Sequence, residues 1–462
     1  MHYPLIIIGA GLSGLAAGIR FARFGQKSLI LEKHSVAGGL NSYYYRRGIL
    51  LETGLHAMTN YAEPGNRHAP LNLLFRQLQL KRRSFRTHPQ FSSEILFCDQ
   101  ASLRFSNDFG LLSAEIAASF PQAVDRFQTL VRLIDGYDPF ALRPWLSTRR
   151  ILNDLLAEPL LSDMLLCPLM FYGNSTEHDM DFSQFVIMFR SIFQEGFFRP
   201  AGTIKDFLDL LLAHYQEFGG DIRLRSGVDR LIIDDGRVRG VCLASGETIT
   251  CDYLVSTIGY PGTLRLLGTA DPETIKEAAG RLSFMEFLYL PTKEEAERIV
   301  DRRTIIFYNQ GAKFEYCRPA EAVDTRSGVI CFPHNFEGLP LEFPCQVRVT
   351  HMANYDLWKQ ASTSAYQEMK VDWGRRSRRV VGKIIGNSLE SNLFEDSFTP
   401  LTIEKFSGKD QGAIYGSPMK IKDGRTTCPN LILAGTDQGY LGIVGAMLSG
   451  VSMVNQHILG KD

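Results

Sequence analysis

Three glycines near the start of the chain, Gly9, Gly11 and Gly14, have the spacing of a turn that cradles a pyrophosphate. Gly9 permits the tight turn. Gly11 lets the backbone approach a phosphate with no side chain in the way, and Gly14 lets a helix pack closely on a strand. Ser13, inside the same turn, adds a hydroxyl. Glu32 lies 18 residues beyond Gly14, near the distance at which a carboxylate accepts hydrogen bonds from ribose hydroxyls and repels a 2′-phosphate. The chemistry these residues suit is recognition of a dinucleotide, and by themselves they suit NAD and FAD equally.

Such a turn works only between a strand and a helix. Leu5-Ile6-Ile7-Ile8 is a short apolar run of the kind buried on both faces of a parallel sheet. Leu15, Ala16, Ile19 and Ala22 form a helical stripe ending at Gly25, and Ser28 to Leu31 reads as a second strand with Glu32 at its carboxyl end. Later, Ile204 to Phe218 has helical spacing. It is followed by strands at Ile222 to Leu224, Val228 to Ile233, Val238 to Leu243 and Tyr253 to Ser256, with turns at Asp235-Gly236 and Ser245-Gly246. Near the end, Leu431 to Ala434 reads as a strand, followed by Gly435-Thr436-Asp437, glycines at 439 and 442, and a final helix opening at Ile443.

The continuation after the second strand separates the two cofactors. Glu32-Lys33-His34-Ser35-Val36-Ala37-Gly38-Gly39, Gly54-Leu55-His56, and Gly435-Thr436-Asp437 with Gly442, Gly445 and Ala446 together resemble the phytoene desaturase and retinol saturase family, in its saturase-like branch, within the flavin amine oxidase superfamily. The resemblance implies FAD as cofactor. It places Gly9, Gly11, Ser13, Gly14, Glu32, Lys33, Gly39, Leu40, Gly54, Val228, Gly435, Asp437, Gly442 and Val444 around it, with the backbone at Val228 against the adenine. The final helix would then present its N-terminus to negative charge on the reduced flavin. Leu40 stands where many relatives have Arg, and Asp437-Gln438 where carotene desaturases have His-Pro, so a carotene substrate does not follow.

The fold class expected is α/β: a Rossmann-type FAD-binding domain, glutathione-reductase-like, interrupted by an α+β substrate domain with a mixed sheet and helices. Residues 1–80, 200–280 and 406–462 would form the first, and 81–199 and 281–405 the second. In the second, Phe182, Phe185, Phe189 and Phe193 share one helical face. That face suits core packing or the wall of an apolar tunnel, which Phe197 and Phe198 would extend. Lys81-Arg82-Arg83 and the pairs Arg375-Arg376 and Arg378-Arg379 are solvated faces or contacts to anionic lipid.

These readings converge on an FAD-dependent oxidoreductase acting on carbon–carbon bonds of an apolar isoprenoid or polyene, as saturase, desaturase or isomerase. His56 is the first candidate to supply a proton, against a structural role bonded to backbone. Tyr440 and Asp437 are further candidates, with ribityl or pyrophosphate binding as their alternative. An amine oxidase and a flavin-free prenyl-lipid binder resembling the GDP dissociation inhibitors are the rival readings. With one dinucleotide fingerprint, the electron donor or acceptor stays open among quinone, oxygen, a reductase and direct nicotinamide exchange.

The whole-chain composition bounds the rest. The 462 residues exceed what one hydrophobic core organises, which points to two domains. Fifty basic residues balance fifty acidic ones, so no global field draws the chain to nucleic acid. The eight cysteines show no metal-ligand spacing and read as reduced thiols, with no metal site expected. The apolar start lacks a basic leader and carries motif glycines instead, so the expected location is the cytoplasm, with peripheral membrane contact as the one lipid option.

Overall fold

The structure, a computed structural model, describes residues 1–299, 301–340 and 344–461. Leu5, Ile6 and Ile7 have no exposed surface, as a strand covered on both faces requires. Their strand, His2–Ile8, pairs in parallel with Ser28–Leu31 on one side and Thr248–Ser256 on the other. Asp221–Arg223 extends the sheet beyond Ser28–Leu31. On the far side, Arg237–Leu243 and Val228–Asp234 add antiparallel strands, and Leu431–Leu433 joins Thr248–Ser256 in parallel. Thr248–Ser256 begins earlier than its apolar residues suggest, because its first residues pair antiparallel with Arg237–Leu243 before the strand turns alongside His2–Ile8.

The first helix, Leu12–Ala22, and the last, Gly442–His457, lie in contact. A Cβ at Gly450 would stand 2.1 Å from the Ser13 carbonyl, so only glycine admits this approach. A Cβ on Gly435 would stand 3.6 Å from Ser13. The glycine turns from the two ends of the chain thus open side by side at the carboxyl edge of one sheet.

A second sheet is mixed. Its order runs Asn392–Phe398, Ser283–Pro291, Val347–Ala353, Val323–Cys331, Ile305–Asn309, Ser93–Phe97 and Ala101–Phe105. Its pairings are antiparallel except where Ile305–Asn309 meets Ser93–Phe97. The strands of the first sheet come from the segments 1–80, 200–280 and 406–462, and those of the second from the remainder. Phe85 and Phe198 pack into the core of the first sheet although they lie at the edge of the inserted segments.

The phenylalanine stripe is core. Phe182, Phe185, Phe189 and Phe193 are buried, each ring against the next in stacked, tilted and edge-on contacts in turn, and Phe193 meets Phe105 from the second sheet. None of them lines the cavity described below, so of the two readings of this face core packing holds and the tunnel does not: helices and the sheet already cover it. Phe197 and Phe198 are likewise buried and do not extend one. The basic clusters are largely engaged: Arg82 donates to the carbonyls of Ala62 and Phe85, Arg376 pairs with Asp372, and Arg378 with Glu395. Among the described residues no helix is long and apolar enough to cross a membrane.

The stripe ends in one wider, π-helical turn at Arg190–Gln194, followed by Glu195. Burial pushes the Glu195 carboxyl up to about 7, against the opposing pull of a 2.7 Å bond from Asn60 Nδ2 and of Arg190. A carboxyl raised by folding binds its proton more tightly in the folded state, so stability falls as pH climbs from about 4.5 through about 7. Glu195→Gln is therefore expected to melt above the wild type at pH 8, with the gap closing toward pH 4.5 in thermal denaturation.

Candidate active site

A cavity of about 1070 Å³ runs from the glycine turns into the space beneath the second sheet. Its outer part is lined by Gly9, Gly11, Ser13, Glu32 and Val228, with Lys33 and Gly39 beside them. Gly9 has φ +102°, a conformation that side chains rarely adopt. A Cβ at Gly11 would meet nothing within 4 Å, which means it would project into the cavity. A Cβ at Gly14 would stand 2.0 Å from the Gly9 carbonyl, so this glycine serves close packing and does not line the cavity. The buried hydroxyl of Ser13, at the opening of the first helix, has no hydrogen-bond partner among the described residues. Glu32 accepts one bond on each oxygen, from the backbone N–H of Ala10 and of His34, both at 2.8 Å. That fixes the carboxylate facing the cavity with acceptor capacity to spare. An open glycine face, a helix N-terminus and an orphan hydroxyl fit the pyrophosphate of FAD, and Glu32 with Val228 fits its adenosine.

Further in, Leu40, Gly54, Gly435 and Gly442 line the cavity, and the last helix opens onto it at Gly442. Besides Gly14, three expected site residues lie elsewhere. Asp437 is 1% exposed and away from the cavity; its carboxylate accepts from the backbone N–H of Tyr260 at 2.6 Å and of Ser417 at 2.9 Å, tying two loops to the closing turn. Val444 points into the core shared with the first helix. Tyr440 stacks on Phe140, ring centroids 5.0 Å apart, and does not line the cavity. A helix start presents only some of its residues to one side, and these three face the other.

His56 does line the cavity, and among the described residues its ring is not bonded to backbone. Its Nε2 lies 2.7 Å from Glu286 Oε1 and 3.4 Å from Thr350 Oγ1. Glu286 also accepts from Arg348 Nε at 2.8 Å and from the Thr350 hydroxyl at 2.5 Å. Burial by itself would raise the Glu286 carboxyl, but His56 and Arg348 outweigh it and hold it at about 2. Around this cluster the wall is apolar: Phe171, Tyr172, Phe284, Val329 and Tyr415. Sequence reasoning had none of these partners. Glu286 left one signal, a lone acid inside the fully buried strand Ser283–Pro291.

Residues 12–290, more than half of the chain, match the family described as flavin containing amine oxidoreductase. The chain belongs to that family. It is accordingly a flavin-dependent oxidoreductase with FAD as its cofactor, and bound FAD supplies hydride transfer to or from a substrate. Within the family it is similar to the all-trans-retinol 13,14-reductase of Homo sapiens, 23% identical over 530 residues covering 99% of this chain and 86% of that one. It is also similar to the lycopene-forming phytoene desaturase of Pseudescherichia vulneris, 23% identical over 299 residues and 59% of each chain. Among solved structures, an oxidoreductase from Methanosarcina mazei shares the fold, with TM-score 0.67, 14% identity, and 99% of this chain and 100% of that chain covered.

The two helix glycines are expected to fail differently. Gly11→Ala should fold and melt as the wild type does but lose FAD affinity by about tenfold or more, about 1.4 kcal/mol, because only the cofactor meets the new methyl. Gly14→Ala should lower the melting temperature of the flavin-free protein too. Flavin absorbance per mole of protein, with apoprotein melting curves, distinguishes them.

Proposed function

We propose that this protein transfers hydrogen to or from carbon–carbon bonds of an apolar polyene or isoprenoid lipid, using FAD. The observation that carries the reading is the inner end of the cavity. There Phe171, Tyr172, Phe284, Val329 and Tyr415 line the cavity together with the ion pair of His56 and Glu286. Such a pocket holds a chain without polar groups and offers it one site for proton exchange. The retinol reductase and phytoene desaturase relatives, named for reduction and desaturation of such chains, support the same substrate class. Saturation, desaturation and isomerisation all need a flavin face and one proton relay, so the geometry serves each direction.

Anaerobic incubation with paired polyenes and their more saturated forms tests this reading. The reduced flavin should be reoxidised by a polyene, or the oxidised flavin reduced by its saturated partner, with the lipid converted. Flavin reduced by amines instead, with every lipid inert, would make the protein an amine oxidase. A colourless protein that retains prenyl lipid would make it a binding protein.

Peripheral contact with a lipid surface on the cytoplasmic side belongs to the same proposal. The segment 140–146 carries Phe140, Leu142, Trp145 and Leu146, all more than 40% exposed, with Arg143 among them to meet anionic headgroups. Phe140 stacks on Tyr440 beside the turn that closes the cavity. The double variant Leu142→Asp with Trp145→Asp should lose co-sedimentation with anionic phospholipid vesicles while keeping its flavin.

A further inference from the structure

The His56 ring offers two nitrogens, and the structure uses only one of them. Nε2 is committed to Glu286, at 2.7 Å, while Nδ1 has no hydrogen-bond partner among the described residues. The ring is 19% exposed, and the residue lines the cavity.

Glu286 is equally committed. Its Oε1 receives His56 Nε2 and Arg348 Nε, and its Oε2 receives the Thr350 hydroxyl. Arg348 and Thr350 bring hydrogens to this carboxylate, so it acts there as an acceptor, and the hydrogen between it and His56 belongs to Nε2. The backbone that carries His56 is held by the same hand. Arg348 donates from its two terminal nitrogens to the carbonyl of Thr53 at 2.7 Å and of Leu55 at 3.2 Å. A Cβ at Gly54 would stand 2.5 Å from the Leu40 carbonyl, so this turn is packed against the segment that follows the double glycine.

Resting on the proposed lipid reaction, we infer that Nδ1 of His56 is the atom that exchanges the proton with substrate, and that Glu286 is a positioning residue that fixes the ring. In saturation, the carbon–carbon π bond opens. One carbon would take the hydride that reduced FAD supplies when bound, and its neighbour takes the proton from Nδ1, leaving His56 neutral with its Nε2 hydrogen still donated to Glu286. In desaturation the same proton moves from carbon to the neutral Nδ1, and oxidised FAD, when bound, would accept the hydride. Glu286 itself neither gives nor takes a proton, which distinguishes this arrangement from one in which the carboxyl is the acid.

Three variants of the full flavoprotein test the inference: Glu286→Gln, which keeps an oxygen for Arg348; Thr350→Val, a milder change should the first fail to fold; and His56→Gln as assignment control. The wild type should show a downfield, exchange-protected ring proton on Nε2 by proton NMR with labelled histidine. The signal should be absent in His56→Gln and shifted upfield in Glu286→Gln, with a smaller shift in Thr350→Val. With a polyene that the wild type converts, Glu286→Gln should lower kcat by roughly tenfold to a hundredfold. Its KM and flavin content should change little. Absence of the wild-type ring proton, or wild-type kcat in Glu286→Gln, overturns the inference while the lipid reading stands. A residual activity that needs Glu286 but not His56 overturns it in favour of the carboxyl acid. The ring proton present with no lipid turned over overturns the lipid reading, and the Nδ1 role with it, but leaves the pair as a structural device.

Discussion

One buried guanidinium ties the second sheet of this protein to the loop that carries His56. Arg348 belongs to the strand Val347–Ala353 of the second sheet, has no exposed surface, and bonds to carbonyls of Thr53 and Leu55 in the segment that leads from the flavin turns to His56. A charge removed from water costs several kcal/mol unless it is paired and its hydrogens are used. Arg348 meets both conditions through Glu286 and those two carbonyls. A second ion pair continues the line: Glu52, one residue before Thr53, pairs with Arg199 and accepts from the Ile204 backbone N–H at 2.7 Å. The position of His56 over the cavity therefore rests on contacts from strands that lie some 230 to 290 residues away in sequence.

The two ends of the cavity are built from different materials. The outer end is mostly backbone: glycines without side chains, helix N-termini and one hydroxyl, which recognise phosphate by geometry and partial charge. The inner end is mostly side chain, an aromatic wall around a desolvated ion pair. The first arrangement depends on backbone contiguous in sequence. The shape of the second depends on residues from several strands at once.

The same contrast explains what was legible. Gly9, Gly11, Ser13, Glu32, Val228, Gly435 and Gly442, expected around the cofactor, all line the cavity, because a turn, its strand and its helix are contiguous in sequence and their geometry is local. Asp437, Tyr440 and Val444 sit in the same kind of motif, yet they face away, since the direction of a side chain at a helix start is set by what packs behind it. The phenylalanine stripe was recognisable as a helical face, but periodicity does not distinguish a face against the core from one against a ligand.

By itself, then, the sequence determined the dinucleotide turn, the strands and helices that hold it, and the candidacy of His56, all consequences of short-range backbone constraints. Only the tertiary structure decided that His56 is held by Glu286, Arg348 and Thr350, that Phe171, Tyr172, Phe284 and Tyr415 line the cavity with it, and that the stripe at Phe182 to Phe193 is closed core. The reason is physical: burial and ion pairing depend on which surfaces meet, and residues as far apart as His56 and Thr350 meet only when both sheets are folded against the same loop.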